Sequence, residues 1–233
     1  MAKKTSAKAS AASPPKPQTS TVQFPSVSLK DYLECRILLE NQILLIDNFF
    51  SAEECKTFVR FIESLPLELT PPKKRGEAER VNHRISITSP EFAQNLYKVI
   101  SPHLPLFPYP STVRRPANSP TERASQSLNT NIRLYKYAAN QYFGPHYDDS
   151  VKDSVTSAKS EWTLLIYLTG VQDGVQGGET IFYKDKTKEA ISAPLTRGTA
   201  LLHRHGSECL LHEGSPVLSG VKYVLRSDLM FIN

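Results

Sequence analysis

The chain has 233 residues, 39% hydrophobic and 9% aromatic, which is enough for one domain with a sizeable core plus appendages. No apolar run approaches the roughly 20 residues that cross a bilayer, so no membrane partner is expected. Of the 28 Lys and Arg, five (Lys3, Lys4, Lys8, Lys16, Lys30) stand in the acid-free first 30 residues, and the remaining 23 balance 23 Asp and Glu; the formal charge of +5 thus belongs to residues 1–30, and the neutral remainder gives no reason to expect nucleic acid as a partner.

Residues 1–25 are Ala, Ser, Pro and Lys with little to bury, the composition of a disordered basic tail whose lysines could act as a nuclear address. Thr5 to Thr21 lacks the apolar stretch of a secretory signal, so a cytoplasmic or nuclear location is expected. Cys35, Cys55 and Cys209 are odd in number and show no Cys-x-x-Cys spacing, the pattern of reduced, buried thiols.

Residues 26–127 read as helices and strands that pack on a later core. Ile43 to Ile46 is a short apolar run, and Ser51-Ala52-Glu53-Glu54 has the form of a capping box. The helix it opens carries Cys55, Phe58, Val59 and Ile62 on one stripe and ends near Pro66. Arg80 to Ile87 reads as extended, with Arg80, Asn82 and Arg84 on one face, lining either a substrate groove or a solvated edge. Ser89-Pro90 opens a second helix that buries Phe92, Leu96, Val99 and Ile100 and stops at Pro102. Residues 104–127 are rich in Pro, Ser and Arg without periodicity, the texture of a mobile segment. His83 and His103 have no partner pattern and are expected in solvent.

From Leu128 the texture changes to strands at 131–137, 142–148, 163–168, 180–183, 199–205, 209–212 and 221–231, separated by Gly and polar turns. Residues 128–233 therefore read as a jelly-roll core, and the fold class as mainly β with flanking helices (α+β). Trp162 is expected to pack, beside a second flap over Asp149 to Glu161.

His146-Tyr147-Asp148 on an extended segment puts an imidazole and a carboxylate on one face. With His212 they would make the two-His, one-carboxylate set that holds non-haem Fe(II) and leaves positions open. A 2-oxo diacid chelating such an ion needs a cation for its far carboxylate, and the last strand offers Lys222 and Arg226. They lie roughly 13 Å apart along a strand, so one of them takes that role; Lys222 is nearer His212 in sequence and is preferred, leaving Arg226 to pair with Asp228 or an acid elsewhere. Tyrosine and threonine hydroxyls could complete the carboxylate's hydrogen bonds. His203 and His205 raise a rival, cupin-like metal site, although no carboxylate follows them at similar spacing.

The ordered series Asn131-Ile132-Arg133-Leu134-Tyr135-Lys136-Tyr137, Gln141 to Asp148, Thr163 to Leu168, Gly177-Gly178-Glu179-Thr180, His212-Glu213-Gly214 and Gly220-Val221-Lys222 resembles the Fe(II)/2-oxoglutarate dioxygenases of the prolyl 4-hydroxylase-like branch, over residues 40–231. The resemblance implies a double-stranded β-helix in which His146, Asp148 and His212 are the catalytic metal ligands. It implies that Lys222, or failing it Arg226, pairs with the 2-oxoglutarate C5 carboxylate, and that Tyr137 and Thr180 hydrogen-bond to it. It also implies Fe(II), 2-oxoglutarate and ascorbate as cofactors, succinate and carbon dioxide as co-products, and a protein or peptide substrate hydroxylated at a side chain, with proline favoured. Family members that halogenate lack the aspartate, so Asp148 points to hydroxylation. The alternatives are oxidation of a small molecule, nucleic-acid demethylation on the same fold, or a non-catalytic binding module that keeps the fold. Oligomeric state is not legible.

Overall fold

The computed structural model describes residues 22–154, 156–184 and 190–232; the tail expected over 1–25 lies outside the described residues up to residue 21. Strands β1 (Cys35–Leu39) and β2 (Ile43–Ile46) form a hairpin. All four residues of β2 are buried because both of its faces are covered: Leu44 and Ile46 join the cluster under the helices, while Ile43 and Leu45 join the cluster between the sheets. That is why the segment reads as an unbroken apolar run.

Helix α1 (Ala52–Glu63) begins at the capping box, with Ser51 Oγ accepting from Glu54 N at 3.2 Å and the Glu54 carboxylate accepting from Ser51 N at 2.7 Å. Cys55, Phe58 and Ile62 are its buried stripe. Helix α2 (Pro90–Ile100) is capped by Ser89 with Pro90 at its first position. It buries Phe92, Ala93, Leu96, Val99 and Ile100, then tightens into a 3-10 turn over Ser101–His103. Both helices lie against one face of the larger sheet, through Phe58, Phe92, Leu134, Leu164 and Leu225 among others.

The remaining named strands are β3 (Arg80–Val81), β4 (His83–Thr88), β5 (Asn131–Tyr137), β6 (Tyr142–His146), β7 (Lys159–Tyr167), β8 (Thr180–Tyr183), β9 (Ala190–Ala193), β10 (Ala200–Arg204), β11 (Leu211–Gly214) and β12 (Lys222–Phe231). The larger sheet runs β1-β2-β10-β7-β12-β5-β4, with Glu68–Leu69 beyond β4 and Ser127–Leu128 beside β12. The smaller sheet runs β9-β8-β11-β6-β3. The pairings within both sheets are antiparallel, and the two sheets face each other as a jelly roll. Strand β12 is buried along its whole length. Tyr223 and Leu225 turn to the helices, while Lys222, Val224 and Arg226 turn to the space between the sheets.

Three expectations are corrected. The extended stretch from Arg80 does not present one face: it breaks at Asn82, so β3 joins the smaller sheet opposite Phe143 and β4 joins the larger sheet beside β5. Asn82 is fully buried at the break, its Oδ1 accepting from Arg80 Nε at 2.8 Å and its Nδ2 donating to His83 O at 2.9 Å. His103 is buried rather than solvated, and its Nδ1 accepts from Leu33 N at 3.3 Å. Cys55 is buried, but Cys35 and Cys209 are half-buried; all three are free thiols. Within 104–127, Phe107 is buried against Trp162 and Phe231 at ring distances of 5.0 and 5.4 Å, and Phe107–Pro108 pairs with Glu122–Arg123. In the expected flap, Lys152 bridges Lys159, where β7 already begins.

Gly198 closes the corner before β10: its N–H donates to Tyr167 O at 2.7 Å and its carbonyl accepts from Phe50 N at 2.9 Å. Its φ is +82°, and a Cβ there would meet Phe50 O at 2.1 Å. Gly198→Ala should therefore destabilise the protein by at least about 2 kcal/mol, strain and clash together. Gly76→Ala, with a φ of +88° but open space around it, should cost only about 1 kcal/mol. Urea unfolding midpoints of the two variants measure the difference.

Candidate metal centre and its pocket

His146 and His212 are Cα partners across β6 and β11 of the smaller sheet, so strand register alone sets their rings side by side, with centroids 4.2 Å apart. Asp148 lies two residues past the end of β6 and is buried. Its Oδ1 is 3.8 Å from His146 Nε2 and its Oδ2 is 3.7 Å from His212 Nε2. One ligand atom from each of the three falls within 4.8 Å of the others.

The rings are oriented by their far nitrogens. His146 Nδ1 meets Gly144 O at 2.9 Å and His212 Nδ1 meets Leu210 O at 3.0 Å, so each Nδ1 carries the proton and each Nε2 presents its lone pair to the carboxylate. Burial keeps both imidazoles neutral: His146 is driven down to about 3 by desolvation and the neighbouring His212 ring, and His212 is lowered by desolvation too. Burial pushes the Asp148 carboxyl up, but Arg226 and the surrounding imidazoles outweigh it and hold it well below the usual range. Two neutral imidazoles and an ionised carboxylate are the donor set that Fe(II) takes, and these residues fit it.

Arg226 grips Asp148 with both nitrogens: Nη1 donates to Oδ1 at 3.1 Å and Nη2 approaches Oδ2 at 2.9 Å. Thr163 Oγ1 also donates to Oδ2 at 2.9 Å. With one donor on Oδ1 and two on Oδ2, the carboxylate keeps an open acceptor position on Oδ1. Arg226 reaches Asp228 as well, at 3.5 Å, and Asp228 is held by Arg133 at 2.7 Å. Its cation is thus committed to protein carboxylates, the pairing foreseen for it with Asp228 or an acid elsewhere.

Lys222 lies in the same small cavity, together with Tyr137, Thr180, His146, Asp148 and His212. Its Nζ donates to Gly178 O at 2.6 Å and sits 5.5 and 5.4 Å from the Tyr137 and Tyr167 ring centres. Burial pulls it down to about 8. Thr180 Oγ1 and Tyr167 OH share a hydrogen bond of 2.7 Å. The expected metal and 2-oxoglutarate set, His146, Asp148, His212, Lys222, Tyr137, Thr180 and Arg226, therefore lines one cavity, which His203 of the rival pair also reaches and His205 does not.

Several neighbours had escaped the sequence reading. Thr163 was read as the first residue of a strand, with no hint that its hydroxyl supports Asp148. Phe143 lies between Arg80, whose guanidinium carbon is 4.3 Å from the Phe143 ring centre, and His146, whose ring stacks at 3.6 Å. Asp148 N donates to Cys209 Sγ at 3.3 Å. These contacts cross strands and follow from register, which leaves no local trace in sequence. Trp162 packs as expected, 1% exposed.

Comparison with known proteins bears on this site. Residues 132–227 match the family described as the 2OG-Fe(II) oxygenase superfamily. No curated protein matches the sequence. Among solved structures, the chain is similar to the viral collagen prolyl hydroxylase of Paramecium bursaria Chlorella virus-1 in its 2OG complex, at 19% identity and a TM-score of 0.51 over 82% of this chain and 97% of that one. It is similar to a Trichoplax adhaerens prolyl hydroxylase in complex with a hypoxia inducible factor peptide fragment, at 16% identity and 0.52 over 82% and 84%. It is also similar to OsALKBH1, at 13% identity and 0.53 over 84% and 99%. At these identities the likeness is one of fold.

Arg226→Met should cost about 3–5 kcal/mol in the metal-free protein, because it strands a buried carboxylate; equilibrium unfolding in urea measures it. The pairing lowers the Asp148 carboxyl, so its stabilisation is complete above about pH 4 and lost on further acidification. In Arg226→Met that acid-side loss should shrink.

Proposed function

We propose that the chain, whose residues 132–227 match the 2OG-Fe(II) oxygenase superfamily, is a dioxygenase dependent on iron and 2-oxoglutarate that hydroxylates a peptidyl side chain, proline in the first instance. The observation that carries the reading is one cavity holding both the His146, Asp148 and His212 cluster and a buried lysine that no carboxylate pairs with among the described residues. In this reading the cluster binds Fe(II), which when bound supplies the oxygen chemistry. The rest is the work of the chain. Lys222 exchanges its bond to Gly178 O for the C5 carboxylate of 2-oxoglutarate, with Tyr137 and Thr180 as further hydroxyl partners. Arg226 holds Asp148 in place and takes no part in binding the diacid. Ascorbate supports turnover.

A peptidyl substrate is favoured by the prolyl hydroxylases among the similar structures, one of them carrying a peptide. The even balance of 23 basic and 23 acidic residues beyond residue 30 is a poor match for a phosphate backbone. The likeness to OsALKBH1 leaves nucleic-acid demethylation as the second reading. Three free thiols suit a reducing compartment, the cytosol or nucleus.

The test is mass spectrometry of cell-extract proteins treated with active protein or with His146→Ala. The expected outcome is a gain of one oxygen atom on a peptide, dependent on 2-oxoglutarate and absent with the variant, whose circular dichroism should match wild type. Oxidation confined to nucleosides or small metabolites would refute the peptidyl substrate and leave the cofactor reading standing.

Lys222 must be charged to hold the diacid, and its value of about 8 means that the free protein loses that charge as pH rises through about 8. Affinity for 2-oxoglutarate should fall over that range. Lys222→Met should bind it roughly ten- to hundredfold more weakly at pH 7 and lose the pH dependence; calorimetric titration against Mn(II)-loaded protein reads both.

A further inference from the structure

His205 follows β10 and stays outside the cavity that holds Asp148, yet it reaches that carboxylate through one intermediary. The residue is 4% exposed and both of its ring nitrogens are engaged, Nδ1 with Thr163 Oγ1 at 2.9 Å and Nε2 with Ser160 Oγ at 3.0 Å. Thr163 and Ser160 are fully buried on β7. Neither nitrogen is free to take an ion, so this imidazole has no place among the metal ligands.

The two ends of the series fix the direction of every proton in it. At one end Asp148 is an ionised carboxylate and only accepts, so Thr163 Oγ1 gives its single hydrogen to Oδ2 at 2.9 Å. The Thr163 oxygen then accepts from its other neighbours, His205 Nδ1 and, at 3.4 Å, Arg226 Nη2. Burial lowers the His205 imidazole and keeps it neutral. With the hydrogen on Nδ1, Nε2 accepts from Ser160 Oγ. At the other end Ser160 Oγ accepts from Val151 N at 2.8 Å, and an N–H only donates. Val151, Ser160, His205, Thr163 and Asp148 thus form a one-way chain of hydrogen bonds in which each buried polar atom has its partner.

The same turn holds the backbone of the carboxylate. Gly206 N donates to Asp148 O at 2.8 Å, and His205 N donates to Glu161 O at 2.9 Å. The main chain and the side chain of residue 148 are therefore both anchored from residues 205 and 206.

We infer that His205 is a positioning residue for the metal centre: its Nδ1–H keeps the Thr163 hydroxyl aimed at Asp148 Oδ2, so that Oδ1 is the oxygen presented to the ion. The inference rests on the metal-centre reading given above and deepens it. In the other tautomer Nδ1 would accept, and the Thr163 hydrogen would turn away from the carboxylate to meet it. Thr163 Oγ1 and Asp148 Oδ2 would then face each other at 2.9 Å with no proton between them, which costs a buried carboxylate one of its donors.

Two measurements test this. In the metal-free full chain with isotope-labelled histidine, long-range proton–nitrogen correlation at neutral pH reads the His205 tautomer. A neutral ring with its hydrogen on Nδ1 is expected; hydrogen on Nε2, or on both nitrogens, would overturn the inference. The second measurement is Co(II) affinity by titration without 2-oxoglutarate. The amide of His205→Asn places an N–H near the Nδ1 position, whereas that of His205→Gln reaches toward Nε2, and the two variants are equally polar. His205→Asn should bind Co(II) within about threefold of wild type, and His205→Gln and Thr163→Val roughly ten- to hundredfold more weakly. Equal loss in the Asn and Gln variants would mean that His205 only fills space, and wild-type affinity in both that it does nothing for the carboxylate. Either result overturns the inference, and the metal centre itself stands as long as His146→Ala abolishes binding. Co(II) binding that survives His146→Ala would sink both.

Discussion

The grip of Arg226 on Asp148 is the interaction on which the rest of the pocket depends. A carboxylate this deeply buried is tolerable only if its charge is answered, and the answer comes from the opposite sheet: Asp148 follows β6 of the smaller sheet, whereas Arg226 belongs to β12 of the larger. The pair therefore ties the two layers of the jelly roll at the depth of the imidazoles. It is continued through Asp228 to Arg133 and through Thr163 to His205 and Ser160. Each member is held by another, so the carboxylate has one orientation before any ion arrives.

This organisation divides labour between the sheets. The smaller sheet carries His146, His212 and Thr180, and its strand register puts the first two in contact. The larger sheet supplies the cations, through Lys222 and Arg226 on the inward face of β12, and its outward face packs on α1 and α2. The placement of His146 beside His212 is set in one layer and the positive charge in the other. Lys222 and Arg226 stand four positions apart on one strand, which is enough to give them different partners in one cavity.

Much of this was legible in the sequence because it is local. Ser51 and Ser89-Pro90 mark the helix starts, and the strands at 131–137 and 180–183 have the expected limits, since period-two alternation and capping chemistry are written within a few residues. What stayed hidden depends on partners distant in the chain. Strand β9 and the pairing of Val217–Ser219 with Gln176–Gly177 lie in Pro-, Ser- and Gly-containing stretches whose extended form comes from neighbours. The break at Asn82 exists because two sheets compete for one segment. His103 reads as a solvated histidine until Leu33, 70 residues away, is seen to donate to it.

The bond from Lys222 to Gly178 O bears on how tightly the pocket can hold an anion. An ammonium in water gives up its hydration shell when it is captured, and that loss is charged against affinity. Here the shell was stripped when the chain folded, and the depressed protonation equilibrium of Lys222 is the trace it left. In the proposed reading, an arriving carboxylate would meet a donor already dry and already aimed, and would displace only a neutral carbonyl. The desolvation penalty thus belongs to the folding free energy, and the protein is less stable by the amount that its recognition of a negative charge is sharpened.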